Sequence, residues 1–400
     1  MKRDFMFTSE SVTEGHPDKI CDQISDAIVD YFLTQDPYAR VRAECAVSTS
    51  ILFIAARFAS DIKADIPNLA RKIISHIGYR RPDFDPQTCS VLTSFQEYPP
   101  AADLYFNEEK LDDSDMDKIP VRQQATVFGF ACRQTDILMP LPIYLAHKLA
   151  RRIMQVQKEK IITYLSPDAK TQVGVEYRER QPYRLHSLTL VVSGSKGASV
   201  QISPKKLYDD MVEAVVYPAF ADEPIGPDNK TAIFVNPVEN LMVGGPGVHS
   251  GLTGRKNDVD TYGDYARQSA NALSGKDPLR IDRLGVYAAR YAAKNVVAAG
   301  LATECEVQLS YSLGFARPVS IRLETFGTGK LPDDDLAALV ERHFDFRLAG
   351  ILRKFRCRHL PARHKGSFYQ RLAAYGQVGR RDLDLPWEAT DKAELLRNYL

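Results

Sequence analysis

The chain has 400 residues, of which 44% are hydrophobic and 26% charged, a balance typical of a globular protein with room for two or three cores. Its 52 Lys and Arg nearly cancel its 51 Asp and Glu, which argues against a dedicated nucleic-acid binder. The sequence has no run of about 18 apolar residues, no apolar signal at its start and six scattered cysteines. We therefore expect a cytoplasmic protein with reduced thiols and without nucleic-acid or membrane partners.

The first hundred residues predict an alternation of helices and strands, based on helical spacing of apolar residues and on β-branched stretches. The predicted elements are helices over 18–35 and 61–77, two strands within 41–56 and a strand over 91–95. The segment that follows, 97–120, holds three prolines and a cluster of aspartates, which is typical of a lid or linker loop. We therefore expect an N-terminal domain over 1–100 and a lid over 101–119.

The rest of the chain repeats this alternation twice. Helices are predicted over 140–158, 204–217, 282–300 and 333–345, and strands over 171–178, 184–203, 231–236 and within 304–325. A segment rich in Pro, Asp and Gly at 220–230 separates the two sections, so we expect a central domain over 120–240 and a C-terminal domain over 241–400. The basic segment 352–365 predicts a solvent-exposed or subunit-facing loop.

The segment 15–19, Gly-His-Pro-Asp-Lys, places an imidazole, a carboxylate and an ammonium group just before a predicted helix. Asp18 at a helix start can hold Mg²⁺, while His16 and Lys19 can donate hydrogen bonds to phosphate oxygens. The alternative is structural, with Asp18 as a helix cap and His16 at the surface.

Two glycine-rich segments offer further cations to an anion. In 243–256 five glycines allow close backbone approach and precede Arg255 and Lys256, although a hairpin with a solvated basic end has the same pattern. In 274–283, Lys276 and Arg280 can face an anion, and Asp282 can cap a helix or bind a metal. A P-loop does not fit, because Ala270 and Asp277 stand where that motif needs Gly and Ser or Thr.

These segments share many cations, a few acids and no pair of nucleophile and base. No Ser or Cys stands in an elbow motif. Cations and Mg²⁺ act on a polyphosphate by positioning and charge neutralisation, without covalent catalysis. The sequence therefore predicts a protein that binds the polyphosphate of ATP.

A series of segments resembles, in order, the S-adenosylmethionine synthetase (methionine adenosyltransferase) family. They are 7–19, 135–140, 167–173, 251–256, 260–263, 274–278, 324–328 and 385–388. The resemblance implies an α+β fold of three similar domains around a pseudo-threefold axis. It also implies homodimers or homotetramers with active sites at the dimer interface, and Mg²⁺ and K⁺ as cofactors. The implied reaction joins ATP and methionine to S-adenosylmethionine, and the released triphosphate is hydrolysed to pyrophosphate and phosphate.

The resemblance also implies roles for single residues. His16 would stabilise the departing triphosphate, Asp18 would hold Mg²⁺ and Glu44 would hold K⁺. Asp282 matches an acid of the phosphate and metal site. The expected phosphate-binding cations are Lys19, Lys170, Arg255, Lys256, Lys276 and Arg280, of which Lys170, Arg255 and Lys276 would act in catalysis with His16.

The chain departs from the family where the acceptor would bind. Gln123 replaces the aspartate that meets the methionine ammonium group, and Arg57 replaces a glutamate beside it. Tyr98 aligns with a lid glutamine, although a slip of two residues would place Gln96 there. Leu313 is expected to line the same acceptor pocket. Two unit charges about 4 Å apart are worth roughly 4 kcal/mol at an effective dielectric near 20, so Arg57 should repel an ammonium group.

The nucleotide side differs too. His249 stands where the family has a Mg²⁺-binding aspartate, and Asn240-Leu241 replaces an Arg-Phe pair whose ring stacks on adenine. Three functions therefore remain: methionine adenosyltransferase, adenosyl transfer from ATP to a neutral or anionic acceptor, or a non-catalytic subunit of a hetero-oligomer.

Overall fold

The computed structural model describes residues 4–80, 84–99, 105–195, 202–237 and 241–400. The helices are α1 Pro17–Gln35, α2 Ile66–Ile77, α3 Asp113–Met116, α4 Leu141–Lys158, α5 Pro204–Met211, α6 Tyr217–Phe220, α7 Asn257–Asp260, α8 Ile281–Ala299, α9 Asp333–His343, α10 Leu348–Phe355, α11 Leu360–Arg363, α12 Phe368–Leu372 and α13 Ala393–Arg397. The strands are β1 Phe5–Val12, β2 Arg40–Ser48, β3 Ile51–Ala59, β4 Ser90–Glu97, β5 Ala125–Cys132, β6 Leu165–Arg178, β7 Gln181–Gly194, β8 Ala232–Val235, β9 Met242–Val243, β10 Gly251–Leu252, β11 Glu304–Tyr311 and β12 Ser320–Glu324.

Three separate sheets carry the fold, which confirms the expected α+β class. One has the order β1-β6-β7-β8, with β9 also paired to β7; the others run β10-β2-β3-β4 and β12-β11-β5. Most neighbours are antiparallel, whereas β3–β4, β7–β8 and β7–β9 are parallel. Among the described residues no helix is long and apolar enough to cross a membrane.

Each sheet contains one strand from a distant part of the chain. β1 pairs along its whole length with β6, from Phe5 opposite Tyr177 to Val12 opposite Lys170. In the same way β10 joins β2, and β5 joins β11. The pairing of β1 with β6 delivers residues 13–18 to the start of β6, where the Thr13 N–H donates to the Ala169 carbonyl over 3.0 Å.

Helix α1 carries a row of four buried aspartates at four-residue spacing, each of which accepts backbone N–H groups from a distant loop. Asp18 accepts from Leu252, Asp22 from Gly254, Asp26 from Gly275, and Asp30 from Tyr369 and Gln370, over 2.7–3.0 Å. Residues four apart lie on one face of a helix, so this acidic face holds three distant segments of the chain, at 252–254, at Gly275 and at 369–370. We call it the aspartate row.

Most predicted elements are confirmed within a few residues, and two predicted strands need new bounds. The strand expected over 184–203 ends at Gly194, and residues 196–201 of that prediction lie outside the described part. The strand expected to begin at residue 171 begins at Leu165, because a register shift accommodates Pro167. Strands β1 and β5 were not predicted. The six cysteines are free and buried, as expected.

The basic segment 352–365 is not an exposed loop, because it contains α10 and α11 and binds the acidic part of the predicted lid. Arg353 donates to the carbonyls of Glu108 and Leu111, and Arg358 lies 3.3 Å from the Glu108 carboxylate. Arg356 pairs with Glu109. The C-terminal half of the lid is therefore fixed to the body, while residues 101–104 of that prediction lie outside the described part.

Candidate functional site

The first turn of α1 forms the base of a cluster of charged and imidazole side chains. His16 caps the helix, and its Nδ1 accepts the Asp18 N–H over 3.3 Å. Gly251 lies directly against this turn, because a Cβ there would be 2.1 Å from the carbonyl carbon and oxygen of Pro17. The structural alternative is therefore corrected in both parts: His16, not Asp18, is the cap, and His16 is only 2% exposed.

Three side chains surround this turn: Arg255, Asp168 and His249. The Arg255 Nε lies 2.9 Å from Oδ1 of Asp18, while Asp168 Oδ2 accepts the Gly245 N–H over 2.8 Å. The His249 Nε2 is 2.7 Å from the same Asp168 oxygen, and the rings of His16 and His249 are 5.0 Å apart. We call His16, Asp18, Asp168, His249 and Arg255 the histidine–aspartate cluster.

Burial sets the charge states in this cluster. Burial lowers the pKa of His16 to about 4, because desolvation disfavours the imidazolium. Burial alone would raise the pKa of Asp168, but the hydrogen bond from His249 and the neighbouring imidazoles lower it below its usual range. At neutral pH the cluster therefore holds an uncharged His16 beside an ionised Asp168.

Two lysines flank the cluster. Lys170 is exposed beside a cavity of about 400 Å³ that Asp168 and His249 also line. The Lys256 Nζ is 3.0 Å from the Glu10 carboxylate and remains partly exposed. Arg255 is 44% exposed despite its contact with Asp18. Lys170 can therefore meet an anion in the cavity, whereas Arg255 and Lys256 follow His249 along the chain and do not line it. Leu241 is buried in the core and offers no face to adenine, and Asn240 lies outside the described residues.

Lys19 belongs to a different environment from the other expected phosphate-binding cations. Its Nζ is fully buried, 3.0 Å from Asp22 and 2.5 Å from Asp260. Those two carboxylates raise its pKa despite burial. The structure does not bring Lys19 to the cavity, so we assign it to the ion pairs of the core and not to phosphate binding.

A second cluster lies at one end of the exposed face of the β10-β2-β3-β4 sheet. Arg42 is opposite Arg57 in the register of β2 and β3, and both line a cavity of about 470 Å³ together with Arg40, Tyr98 and Arg280. We call these five residues the arginine cluster. Its cavity shares no lining residue with the cavity at His249, so the chain gathers its expected site residues in two separate places.

The acids and amides near the arginine cluster are already engaged. The Arg42 guanidinium contacts one Glu44 oxygen over 2.5 and 3.0 Å, and Arg280 donates to Oε1 of Gln123 over 3.0 Å. Lys276 contacts Asp282 closely, although the other oxygen of Asp282 is buried without a hydrogen-bond partner. Burial lowers the pKa of Lys276 despite that carboxylate.

The expected acceptor residues are only partly brought together. Arg57 is exposed and has no ion-pair partner within the described residues, and Tyr98 is 46% exposed at the same cavity. Gln123 lines a smaller cavity beside that of the arginine cluster, and Arg40 and Arg280 line both cavities. Leu313 lies in a turn bonded to Val121 and is 63% exposed, and it does not line the Arg57 cavity.

Sequence reasoning missed Asp168 and Arg42 as members of these clusters. Asp168 lies in the Pro-Asp-Ala-Lys segment, where only Lys170 was singled out. An acid two residues before that lysine is a signal, because alternation along a strand places both side chains on one face. Arg42 precedes Glu44 by two residues in β2, and the same rule predicts their contact.

The three sheets and the two cation-rich clusters define an α+β enzyme that acts on a phosphorylated substrate. Models of three S-adenosylmethionine synthetase domains match the chain: the N-terminal domain over residues 4–100, the central domain over 118–241 and the C-terminal domain over 243–389. The chain belongs to the S-adenosylmethionine synthetase family, and it is a transferase of the methionine adenosyltransferase type.

Relatives match over their whole lengths. The S-adenosylmethionine synthase of Synechococcus sp. (strain JA-3-3Ab) is 48% identical over 98% of this chain and 97% of its own. That of Trichormus variabilis (strain ATCC 29413 / PCC 7937) is 49% identical over 99% and 97%. That of Gloeothece citriformis (strain PCC 7424) is 47% identical over 100% and 98%.

Proposed function

We propose that this protein transfers the adenosyl group of ATP to methionine. The methionine sulfur attacks the 5′ carbon of ATP, a carbon–sulfur bond forms, and the carbon–oxygen bond to the triphosphate breaks. Water then cleaves the triphosphate to pyrophosphate and phosphate. The observation that carries the proposal is the histidine–aspartate cluster: its Asp168 and His249 line a cavity together with Lys170, and the partly exposed Arg255 and Lys256 follow His249 along the chain. The comparisons give no support to a different acceptor or to a non-catalytic subunit.

The cluster suits the departure of a triphosphate. Since the Nδ1 of His16 accepts the Asp18 N–H, an uncharged His16 carries its hydrogen on Nε2, which has no protein partner. That N–H is a donor for the oxygen on which negative charge develops. Lys170 and Arg255 add charge, and preorganised donors of this kind stabilise a transition state without reorganisation.

Mg²⁺ fits two carboxylates. Among the described residues, Asp282 keeps one buried oxygen without a hydrogen-bond partner, and the contacts of Asp18 with Leu252 and Arg255 are made by its Oδ1. Mg²⁺ binds through one or two carboxylates together with waters and substrate phosphates. We therefore propose Asp18 and Asp282 as protein ligands of Mg²⁺, one in each of the two separate regions, where the ion would neutralise phosphate charge.

Glu44, in contrast, does not suit K⁺. The Arg42 guanidinium already lies on one carboxylate oxygen, with contacts of 2.5 and 3.0 Å, and occupies the place of a monovalent cation. We therefore assign no step to K⁺.

We also propose a homodimer that places the arginine cluster of one subunit against the histidine–aspartate cluster of the other. Leu252, Ala46, Phe53 and Leu92 form one row across the four strands of the β10-β2-β3-β4 sheet, and its three large side chains are 42–52% exposed. Glu44 and Arg57 lie on the same face beside this row. A second copy on this face would bury the row and reach the arginine cluster.

Light scattering of the purified protein gives the mass of the oligomer, and Phe53→Asp should shift that mass towards the monomer.

The test of function is direct. Purified protein with ATP, Mg²⁺ and methionine should yield S-adenosylmethionine together with equal amounts of pyrophosphate and phosphate, measured by mass spectrometry and phosphate assay. Lys170→Gln should lose most of this turnover, while Lys205→Gln, on the exposed part of α5, should keep it. If the folded wild-type protein forms no S-adenosylmethionine, the proposal is wrong. We expect the enzyme to work in the cytoplasm.

A further inference from the structure

We propose that His16, Asp168 and His249 form a binding site for a divalent transition-metal ion such as Co²⁺ or Zn²⁺. One ligand atom from each of the three side chains lies within 4.8 Å of the others. The site is distinct from the Mg²⁺ ligands proposed at Asp18 and Asp282.

Two donor atoms in this group lack protein partners although their residues are buried. The Nε2 of His16 and the Oδ1 of Asp168 have no hydrogen-bond partner among the residues that the structure describes, and the two residues are 2% and 6% exposed. Buried polar atoms in proteins are nearly always satisfied, and each exception requires an explanation. A metal ion between them would satisfy both atoms at once.

The donor set selects the class of ion. Two imidazoles and one carboxylate with open positions suit divalent transition metals, whereas Mg²⁺ prefers oxygen ligands. His249 makes the difference, because it stands where the family resemblance places an aspartate. That exchange replaces an oxygen donor by a nitrogen donor.

The surrounding groups support such an ion. The Gly245 N–H holds Oδ2 of Asp168 over 2.8 Å, which leaves Oδ1 as the open oxygen. If Nε2 of His16 binds the ion, Nδ1 must carry the hydrogen; it then gives up the hydrogen bond that it accepts from the Asp18 N–H and faces Oδ2 of Asp18, 3.6 Å away. A metal-bound histidine commonly donates its other N–H to a carboxylate.

Binding requires only small movements. Donors bonded at about 2.0–2.2 Å to one ion lie roughly 3–4 Å apart, so the widest spacing must shrink a little. The 2.7 Å contact between His249 Nε2 and Asp168 Oδ2 must open. His249 is one-third exposed on a loop with Gly244 and Gly245, which leaves it room to turn.

The remaining coordination positions of the ion would face the cavity of about 400 Å³ that Asp168 and His249 line. There the ion would meet a phosphate oxygen of the nucleotide, and this part of the inference depends on the proposed function. The ion would then take the place of the His16 N–H donor.

The experiment uses full-length, chelator-treated protein without nucleotide, titrated with Co²⁺ at pH 7.5. Calorimetry should show one ion per chain, and the Co²⁺ visible absorption band should indicate nitrogen ligation. His249→Asp and His16→Gln should each weaken Co²⁺ binding at least tenfold. His186→Gln, at an exposed histidine of β7, should bind as the wild type does. Thermal unfolding confirms that each variant is folded.

Two results would overturn the site: no stoichiometric Co²⁺ binding to the wild type, or unchanged binding in both folded variants. Because the titration contains no ATP or methionine, its outcome is separate from the turnover assay. S-adenosylmethionine formation with Mg²⁺ but without Co²⁺ binding would refute this site alone. Co²⁺ binding without any S-adenosylmethionine would refute the proposed function alone.

Discussion

The first turn of α1 and the turns that follow it use the same residue types for opposite purposes. In the first turn Asp18 meets Arg255, which is 44% exposed and opens onto solvent. One residue further, Lys19 meets Asp22 and Asp260 with no exposure at all. Both cations contact carboxylates, and only their burial differs. The partly exposed Arg255 can bind a substrate, whereas the buried Lys19 stabilises the folded protein.

This difference teaches how a ligand site is fixed to a core. The aspartate row extends from Asp18 through Asp22 and Asp26 to Asp30, and every member holds a loop by its backbone N–H groups. The loops that hold the substrate cations are therefore anchored to the same helix that holds the core. Substitutions in the fully buried ion pairs should change stability, and substitutions of the partly exposed cations beside Asp18 should change turnover.

The largest effect is expected at Lys19. Lys19→Met leaves two buried carboxylates without their cation, and loss of one partner of a buried ion pair costs about 3–5 kcal/mol. Urea unfolding should report that loss in the free energy of unfolding. Lys170→Met, at an exposed cation, should leave the unfolding free energy within about 0.5 kcal/mol of the wild type. Equal losses of unfolding free energy in Lys19→Met and Lys170→Met would show that burial does not distinguish the roles of these two lysines.

Asp30 makes the buried part of the row sensitive to pH. Burial raises its pKa to about 7, against the hydrogen bonds from Tyr369 and Gln370. The folded state therefore binds the proton more tightly than the unfolded state, whose pKa is near 3.8. This contribution to stability is present below pH 3.8 and is lost as the pH rises towards 7, by up to about 4 kcal/mol.

Asp30→Asn removes that titration, so the difference in unfolding free energy between variant and wild type should change steadily from pH 4 to pH 7. Denaturant melts across this range measure it. A constant difference would mean that Asp30 is ionised throughout and that the two backbone N–H groups outweigh its burial.

The first turn should respond in turnover instead. Arg255→Gln removes a charge from the proposed triphosphate site, and loss of one such donor lowers kcat by about 10²–10³. Steady-state kinetics with ATP and methionine measure it. Arg317→Gln, which breaks only an exposed pair with Asp117, is the matched control and should be unchanged. If Arg255→Gln lowered the free energy of unfolding as much as Lys19→Met, Arg255 would belong with the buried ion pairs of the core.

Sequence reasoning could identify α1, α2, α4, α5, α8, α9 and the fold class, because these depend on local periodicity and on short motifs; it did not identify the short helices α10 to α13, and the roles of the cations stay predictions. It could not identify β1 and β5, since their partners β6 and β11 are more than 150 residues away. It also placed Lys19 with Lys170, because a motif gives the order of residues and not their burial. The aspartate row has the spacing of a solvated helix face, and only the loops that cover it make it core.

The arginine cluster should give a smaller effect. Arg57 has no ion-pair partner among the described residues, and its cavity is lined by three further arginines. We expect it to meet the methionine carboxylate in place of the ammonium group. Arg57→Gln should then raise the KM for methionine about tenfold, near 1.4 kcal/mol, with kcat little changed. Lys63→Gln, at an 87% exposed side chain nearby, is the control, and a lower KM in the Arg57 variant would show repulsion instead.

The smallest effect is expected from K⁺. Because Arg42 already neutralises Glu44, replacing K⁺ by tetramethylammonium at constant ionic strength should change kcat/KM less than twofold. Arg42→Ala exposes the Glu44 carboxylate and should create a K⁺ response that the wild type lacks. If the wild type already needs K⁺, the Arg42–Glu44 pair opens during turnover. The Arg42 guanidinium would then compete with K⁺ for the Glu44 carboxylate and would not replace it.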